Sequence, residues 1–412
     1  MVSSTSTLDM RPLSLSPLLP LLLLLAAAIP ARAQLSDQAQ VSLITILPGD
    51  LAYSLFGHST LRIYDPVRGY DLAYNYGTFS FGEPTVGNLL RFGAQFSYGK
   101  LDYFLNVQSY PRMVDAYWNV EGRPVIEQVL NLSPAQREAL FQFLENNALP
   151  ENKYYRYDFF FDNCASRIRD VLETVLGDSV TFVPEPDPAV SMRRLLDPYL
   201  VERPFLNFGM DLGLGLPADR IATPRDAVFL PIYLMETFNH ATVIAEGRSQ
   251  PLVARTDTVV WSEERATLDP ALPWPSIVFW GLLALGAWVT LADVRTARTE
   301  RRLFDGLLFG VAGVAGLIIV FFWFVSLHTV THWNINLLWA WPTHLVAAGA
   351  LVRRSQAAWL RSYLMATALV TFGVVLGWFF LPQELPAAAL PFLLLLVGRS
   401  AALAYVRKQK KG

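Results

Sequence analysis

Asp162-Asn163-Cys164-Ala165-Ser166-Arg167-Ile168-Arg169-Asp170-Val171-Leu172-Glu173-Thr174-Val175-Leu176-Gly177 decides how this chain reads. Ile168, Val171, Leu172, Val175 and Leu176 fall at i, i+3, i+4, i+7 and i+8, the apolar stripe of an amphipathic helix, and Gly177 marks its end. The helix opens near Asp162-Asn163, which puts Cys164, the only cysteine of the chain, in its first turn. Unsatisfied backbone N–H groups and the positive end of the helix dipole lie there. Both favour thiolate over thiol, and the same N–H groups are suited to holding an oxyanion.

A thiol catalyst needs a base, and the segment before the membrane region offers two histidines, His58 and His240. His58 follows Gly57 at the start of an expected strand, so a base fixed on a sheet faces a thiol carried on a helix, the Cys/His arrangement of nucleophilic catalysis. The bland reading stands beside it: a lone cysteine on an amphipathic helix is usually a small core residue, and a lone histidine is usually structural. Asn75, in Tyr74-Asn75-Tyr76-Gly77, is either the amide that orients the imidazole or a turn residue before Gly77. Asn163 and Ser59 are candidates for binding the oxyanion or substrate. Arg167 and Arg169 either pair with Asp162 or Asp170 or meet an anionic head group. His328 and His332 are four apart but have no third ligand near, so no metal and no cofactor is expected.

Around these residues the pattern is α+β. Val41–Leu47 and Thr60–Tyr64 read as strands, and Tyr70–Tyr76 pairs with the latter across the Val67-Arg68-Gly69 turn. Arg123–Leu130 is another strand. Ser133, Pro134 and Gln136 give an N-cap, a Pro at N1 and a capping box, so a helix runs to about Asn147. Ala189–Leu200 and Asp226–Phe238 look helical, Gly209–Gly215 reads as a loop, and Arg248–Arg255 is polar and leads toward the membrane.

Composition divides the chain in two. Hydrophobic residues make up 53% and charged ones 17%, too apolar for an ordinary soluble chain. From Trp274 onward there are 12 Lys and Arg against 4 Asp and Glu; the remainder has 21 against 31. Nine of the 11 Trp lie after residue 273. Two regions in different solvents are implied. The numbers exclude a disordered chain, a disulfide scaffold and a nucleic-acid binder, since no basic patch lies outside the membrane-flanking loops.

Five apolar runs fill the last third: about Pro275–Ala292, Gly306–Leu327, Leu337–Val352, Ser362–Leu381 and Pro386–Val406. The third is short and holds Pro342 and His344. Arg295, Arg298, Arg301 and Arg302 follow the first run, Arg353, Arg354 and Arg361 follow the third, and Arg407, Lys408, Lys410 and Lys411 end the chain. The alternate loops carry no Lys or Arg. This alternation puts the C-terminus in the cytoplasm and residues 34–262 outside, on the same face as His328, His332, Asn334 and Asn336. Trp333, Trp339 and Trp341 suit an outer interfacial belt. At the start of the chain, Arg11, the Leu18–Leu25 run and Ala31-Arg32-Ala33 have the order of a secretory signal over residues 1–33, or else of an uncleaved anchor.

Leu55-Phe56-Gly57-His58-Ser59, Tyr74-Asn75-Tyr76-Gly77-Thr78-Phe79 and Asp162-Asn163-Cys164-Ala165-Ser166-Arg167 resemble the signature of the Lnb-type N-terminal periplasmic domain. The outer loop around Asn334 and Asn336, followed by Leu337, Leu338 and Pro342, resembles that family's membrane part. The resemblance covers nearly the whole chain, including the soluble-then-membrane order. It implies a papain-like, circularly permuted NlpC-like fold, His before Cys, joined to an all-α five-helix membrane domain over 263–412. It also implies a cysteine acyltransferase of the inner membrane, acting on a membrane lipid or lipoprotein: His58 deprotonates Cys164, the thiolate takes an acyl group from an ester, and an amine receives it. Two other classes compete, a tethered cysteine peptidase or amidase and a non-catalytic membrane scaffold. The outer loop carries a paired expectation: Asn334 and Asn336 bind the ester-bearing head group or fix the domain on the membrane, against ordinary capping of the third span.

Overall fold

The computed structural model describes residues 34–51, 53–79, 85–183, 189–262, 270–296, 301–353 and 357–409. The expected signal segment, Arg298, Arg354, Lys410 and Lys411 lie outside them.

A seven-stranded antiparallel sheet carries the first region. Its strands are β1 (Gln40–Ile46), β2 (His58–Asp65), β3 (Tyr70–Thr78), β4 (Asp102–Ser109), β5 (Val125–Leu130), β6 (Tyr154–Arg156) and an edge strand from far downstream, β10 (Val253–Val260), in the order β10-β5-β1-β2-β3-β4-β6. Register sets Leu43 opposite Leu61 and Leu61 opposite Tyr74. Those residues and Val41 and Ile63 present one apolar face, with period two as a half-covered sheet requires. Helices α1 (Val86–Tyr98) and α2 (Tyr110–Asp115) flank β4, and α3 (Pro134–Ala148) and α4 (Cys164–Leu176) cover the apolar face. The Ser133 capping box is present, with Gln136 N–H donating to the serine oxygen and Ser133 N–H to the glutamine oxygen. Leu140, Phe141 and Leu144 of α3 meet Ile168 and Leu172 of α4 in one core.

Beyond α4, the short helices α5 (Asp197–Leu200), α6 (Pro204–Gly213), α7 (Pro224–Ala227) and α8 (Pro231–His240) and a small sheet of β7 (Val180–Thr181), β8 (Thr242–Ala245) and β9 (Arg248–Pro251) complete the domain. Several expectations give way here. Ala189–Leu200 is helical only over Asp197–Leu200, because the backbone N–H groups of Met192 and Arg193 go to Arg220 and Ala218 instead of up a helix. Asp226–Phe238 is split at Pro231, which starts α8 at N1. The glycine-rich piece is mostly helix α6, since Phe208 and Leu212 on it pack into the membrane core. Arg248–Arg255 does not run to the membrane; it forms β9 and the start of β10, whose edge register on β5 buries little of its polar side.

The last third is helical: α9 (Trp274–Thr296), α10 (Arg302–Phe324), α11 (His344–Val352), α12 (Ala358–Leu376) and α13 (Leu390–Gln409). Four of these helices, α13 with the short turn before it, are long and apolar enough to cross a membrane. The third expected run is not one continuous helix. It breaks into a 3-10 turn at Ile335–Leu338 and the nine-residue α11. Pro342 interrupts it, and α11 covers only about 14 Å of a hydrocarbon core of about 30 Å.

Two polar clusters sit in this apolar region. At the end away from the sheet domain, Arg399 of α13 is fully buried and bonds Asp305 of α10 and, at 2.6 Å, Asp293 of α9. At the near end, the Asn334 amide donates to Leu212 and Gly213 carbonyls at 2.8 and 3.1 Å, and Gln383 donates to Leu214 at 3.1 Å. Gly215 N–H meets Val330 O at 2.9 Å. A β-carbon at Gly215 would stand 1.8 Å from the His332 carbonyl oxygen, so only glycine permits this backbone approach.

Replacing Arg399 with Leu leaves two buried carboxylates without their cation. The expected loss is about 3–5 kcal/mol, read as a lower unfolding temperature in detergent. Adding Asp293→Asn and Asp305→Asn recovers most of it; an Arg399→Leu protein as stable as the parent refutes the pairing as a structural lock.

Candidate active site

Asn163 builds the helix start on which the thiol stands. Its backbone is extended, and its side-chain oxygen accepts the N–H groups of Ala165 and Ser166 at 2.9 and 3.0 Å. Ser166 Oγ accepts Asn163 N–H in return at 2.9 Å. The amide nitrogen donates to Phe159 O at 2.9 Å and Phe229 O at 2.7 Å. Every polar atom of this side chain is thus engaged. Asn163 orients the first turn, and both N–H groups of its amide are already taken by carbonyls.

Cys164, the next residue, is buried in the same core as Tyr76 and Leu61 of the sheet. The register that pairs β2 with β3 brings His58 and Gly77 to the same end of the pair. Gly77 has φ +81°, beside an irregularity in the β3–β4 ladder. A β-carbon there would lie 3.3 Å from Cys164 Cβ and 3.7 Å from His58 Cε1. Cys164 and His58 therefore both border the point where a Gly77 side chain would stand. Behind the ring, His58 Nε2 meets Asn75 Oδ1 at 2.6 Å. With the amide oxygen as acceptor, Nε2 carries the proton of the neutral imidazole and Nδ1 is the free base. Tyr117, 6.1 Å from the His58 ring, also bonds the Asn75 side chain.

Burial dominates the electrostatics. Removal from water pushes the Cys164 thiol up to about 11, although the N–H groups of Ser59, Ala165 and Cys164 itself and the Arg123 charge favour the thiolate. Burial pulls His58 down to about 4; the Asn75 bond opposes this and Arg123 adds to it. At neutral pH the pair rests as thiol and imidazole. The helix start does favour thiolate, as its position implies, but desolvation outweighs it.

Sequence reasoning missed the enclosure. Tyr103 and Tyr157 stack at 4.0 Å between centroids, and Tyr155 lies 6.2 Å from Tyr76. All of Tyr103, Tyr155 and Tyr157 are raised first by burial and then by the nearness of Cys164. The run Tyr154-Tyr155-Arg156-Tyr157 was the available signal. Arg123 is also buried, donating to Leu47 O at 2.8 Å with its guanidinium 5.0 Å from the Tyr117 ring.

The other candidates sit as follows. Ser59 is buried beside His58 and contributes its backbone N–H. Arg167 pairs with Asp162 at 2.6 Å and lies 3.6 Å from the Tyr155 ring centroid, and Arg169 pairs with Asp170. Their charges are matched within the domain. Asn334 and Asn336 are fully buried at the domain junction: Asn334 Oδ1 accepts Asn336 N–H and Gln383 Nε2, and Asn336 Oδ1 accepts the Trp339 indole. None of these hydrogen bonds reaches the thiol cluster.

Residues 30–197 match the model of the Lnb N-terminal periplasmic domain, and residues 268–411 match that of the Lnb transmembrane domain. Comparison with curated proteins and with solved structures gave no match.

Two outcomes are expected. A thiol raised to about 11 gains thiolate only as pH rises. Alkylation of Cys164 in the full-length protein should therefore climb about tenfold per pH unit from 7 to 9.5, with no plateau, and at pH 7 run more than about a hundredfold slower than free cysteine. A plateau below pH 8 would mean a resting ion pair instead. The double Asn334→Ala, Asn336→Ala variant strands buried carbonyls and should lose about 1–3 kcal/mol of stability while leaving the alkylation profile unmoved. A changed profile at unchanged stability would place these residues in the site.

Proposed function

The chain belongs to the Lnb family, a membrane protein with a periplasmic domain, and we propose that it is a cysteine acyltransferase at the outer face of the inner membrane. The observation that carries this is the meeting of Cys164 and His58 across Gly77, with Asn75 behind the imidazole.

In this reading His58 Nδ1 takes the proton from Cys164 Sγ as the sulfur attacks the carbonyl carbon of a lipid ester. Negative charge collects on the carbonyl oxygen, and backbone N–H groups at the start of α4 hold it. The carbon–oxygen bond to the glyceryl group breaks, and His58 returns the proton to the departing alcohol. An amine then attacks the thioester, the sulfur leaves and recovers a proton, and an amide remains. Asn75 keeps Nδ1 unprotonated and aimed. Starting from neutral thiol and neutral imidazole suits this sequence, since proton transfer and attack are completed on an arriving substrate in a water-poor site. In the family resemblance the donor is the diacylglyceryl group of a lipoprotein. The acceptor is the α-amino group of its N-terminal cysteine, and the product is an N-acylated lyso-lipoprotein.

The membrane domain supports a lipid substrate on energetic grounds. Drawing an acyl chain into water costs about 0.8 kcal/mol per methylene, so the thiol must be brought to the bilayer. The orientation that does so has the domain junction outside and α13 running inward to a cytoplasmic C-terminus. Arg194 pairing with Glu384 at 2.8 Å, beside the start of α13, supports this placement.

Mass spectrometry of lipoprotein N-termini from cells with and without this gene tests the reading. The wild type should yield N-acylated lyso forms and Cys164→Ala none. His58→Gln should lower turnover by about 10²–10⁴-fold at equal expression. Unchanged N-termini, or full activity in Cys164→Ala, ends the proposal.

A further inference from the structure

Helix α1 was not expected from the sequence, and the sheet domain does not bury its apolar face. Thr85 caps its start, accepting Asn88 N–H at 3.2 Å, and Gly99 closes its end in the left-handed conformation. Val86, Gly93 and Leu90 line one stripe, while Asn88, Arg91 and Gln95 line the opposite side. Val86 and Leu90 are 76% and 70% exposed, and Phe96 is also exposed. Exposed apolar residues in one stripe of a thirteen-residue helix mark a contact surface.

What covers it follows from what holds its C-terminal end. Ser326 Oγ donates to Ser97 O at 2.7 Å, Leu327 N–H to Tyr98 O at 2.9 Å, and His328 Nε2 meets Phe96 O at 2.8 Å. These three residues follow Val325, the cap of α10, one of the helices able to cross a membrane, whose last turn also leaves Phe324 exposed. The last carbonyls of α1 are therefore tied to the mouth of a transmembrane helix.

A path leads inward from it. Phe96 stacks on Phe92, with centroids 6.2 Å apart; Phe92 meets Phe79 at 5.3 Å, Phe79 meets Tyr103 at 5.3 Å, and Tyr103 stacks on Tyr157 beside Cys164. This row of rings joins the membrane level to the thiol enclosure.

We propose that α1 is an interfacial helix whose Val86–Leu90 face lies in the outer leaflet of the bilayer, and that the aromatic row behind it is the wall along which an ester-bearing membrane lipid reaches Cys164. The occupant is bilayer lipid, as the tie to the mouth of α10 requires. The route to Cys164 rests on the acyl-transfer reading; the position of α1 does not.

The test uses full-length protein in vesicles of phosphatidylethanolamine and phosphatidylglycerol. In a Cys164→Ser background, Leu90→Cys and, separately, Arg91→Cys carry an environment-sensitive fluorophore, with spin-labelled lipid as quencher. Leu90 should emit at shorter wavelength and be quenched at least threefold more than Arg91. Equal quenching overturns the proposal, and so does a shielded probe that lipid does not quench, which would mean a protein partner or a second copy. In the Cys164 protein, Val86→Asp with Leu90→Asp should cut turnover of a long-chain ester in the vesicles at least tenfold while changing that of a water-soluble short-chain ester less than twofold. Equal losses on both esters refute the lipid route. A wild-type protein inert on both esters ends the acyl-transfer reading, and the quenching result then decides α1 alone.

Discussion

The missing side chain at Gly77 is the constraint on which the site depends. Cys164 reaches the end of the sheet from α4, and His58 reaches it from β2. Gly77, at φ +81°, lies where a β-carbon would press to 3.3 Å from Cys164 Cβ. Any other residue there is strained in its backbone and crowds the thiol. The turn of β3 that Gly77 allows also leaves Asn75 on the strand at the correct depth to bond His58 Nε2. One backbone feature thus sets the approach of Cys164 and His58 and keeps the imidazole oriented.

How much of this was legible varies with the kind of signal. The two helices that frame the sheet were written locally: Ser133-Pro134-Ala135-Gln136 carries its own cap, and the stripe from Ile168 to Leu176 its own period. The hairpin of β2 and β3 followed from alternation and a glycine turn. By contrast, α6 contains Gly209 and Gly213 and reads as loop, because its helicity comes from packing Phe208 and Leu212 on membrane helices that no local rule sees. Edge strand β10 was misread for the same reason; its partner β5 lies more than a hundred residues upstream. In the site, His58, Cys164 and Asn75 stood out by residue type and position. The tyrosines of the enclosure did not, since aromatic residues in an α+β domain are ordinary core material. Asn163 was read as a binding group when the geometry spends it as a cap, a role its place before a helix already favoured.

The junction with the membrane domain is built from buried amides and backbone, not from exposed charge. Asn334, Asn336 and Gln383 are buried and matched to carbonyls and N–H groups, and the Gly215 backbone lies directly against that of His332. Pairs such as Arg194 with Glu384 at the rim are exposed and individually weak. A buried amide network loses much more when one partner is displaced, because each orphaned carbonyl keeps its desolvation cost. The junction therefore behaves as a fixed joint with few intermediate arrangements.

A fixed joint matters for the chemistry proposed. A thiol on a flexible tether would sample the bilayer surface but also water, where a thioester formed on it is open to hydrolysis. Here the α1 end is tied by Ser326, Leu327 and His328 and the α6 end by Asn334 and Gln383, so two separate attachments flank the sheet domain. Two attachments fix height and tilt together, which one cannot do. The aromatic row between α1 and Cys164 then spans a constant gap, and the apolar enclosure that raises the thiol's pKa is the same one that would keep water from the proposed acyl intermediate. On this view the cost of a protonated resting nucleophile and the protection of its thioester have a single physical origin, the burial of Cys164 among tyrosines at a set distance from the membrane.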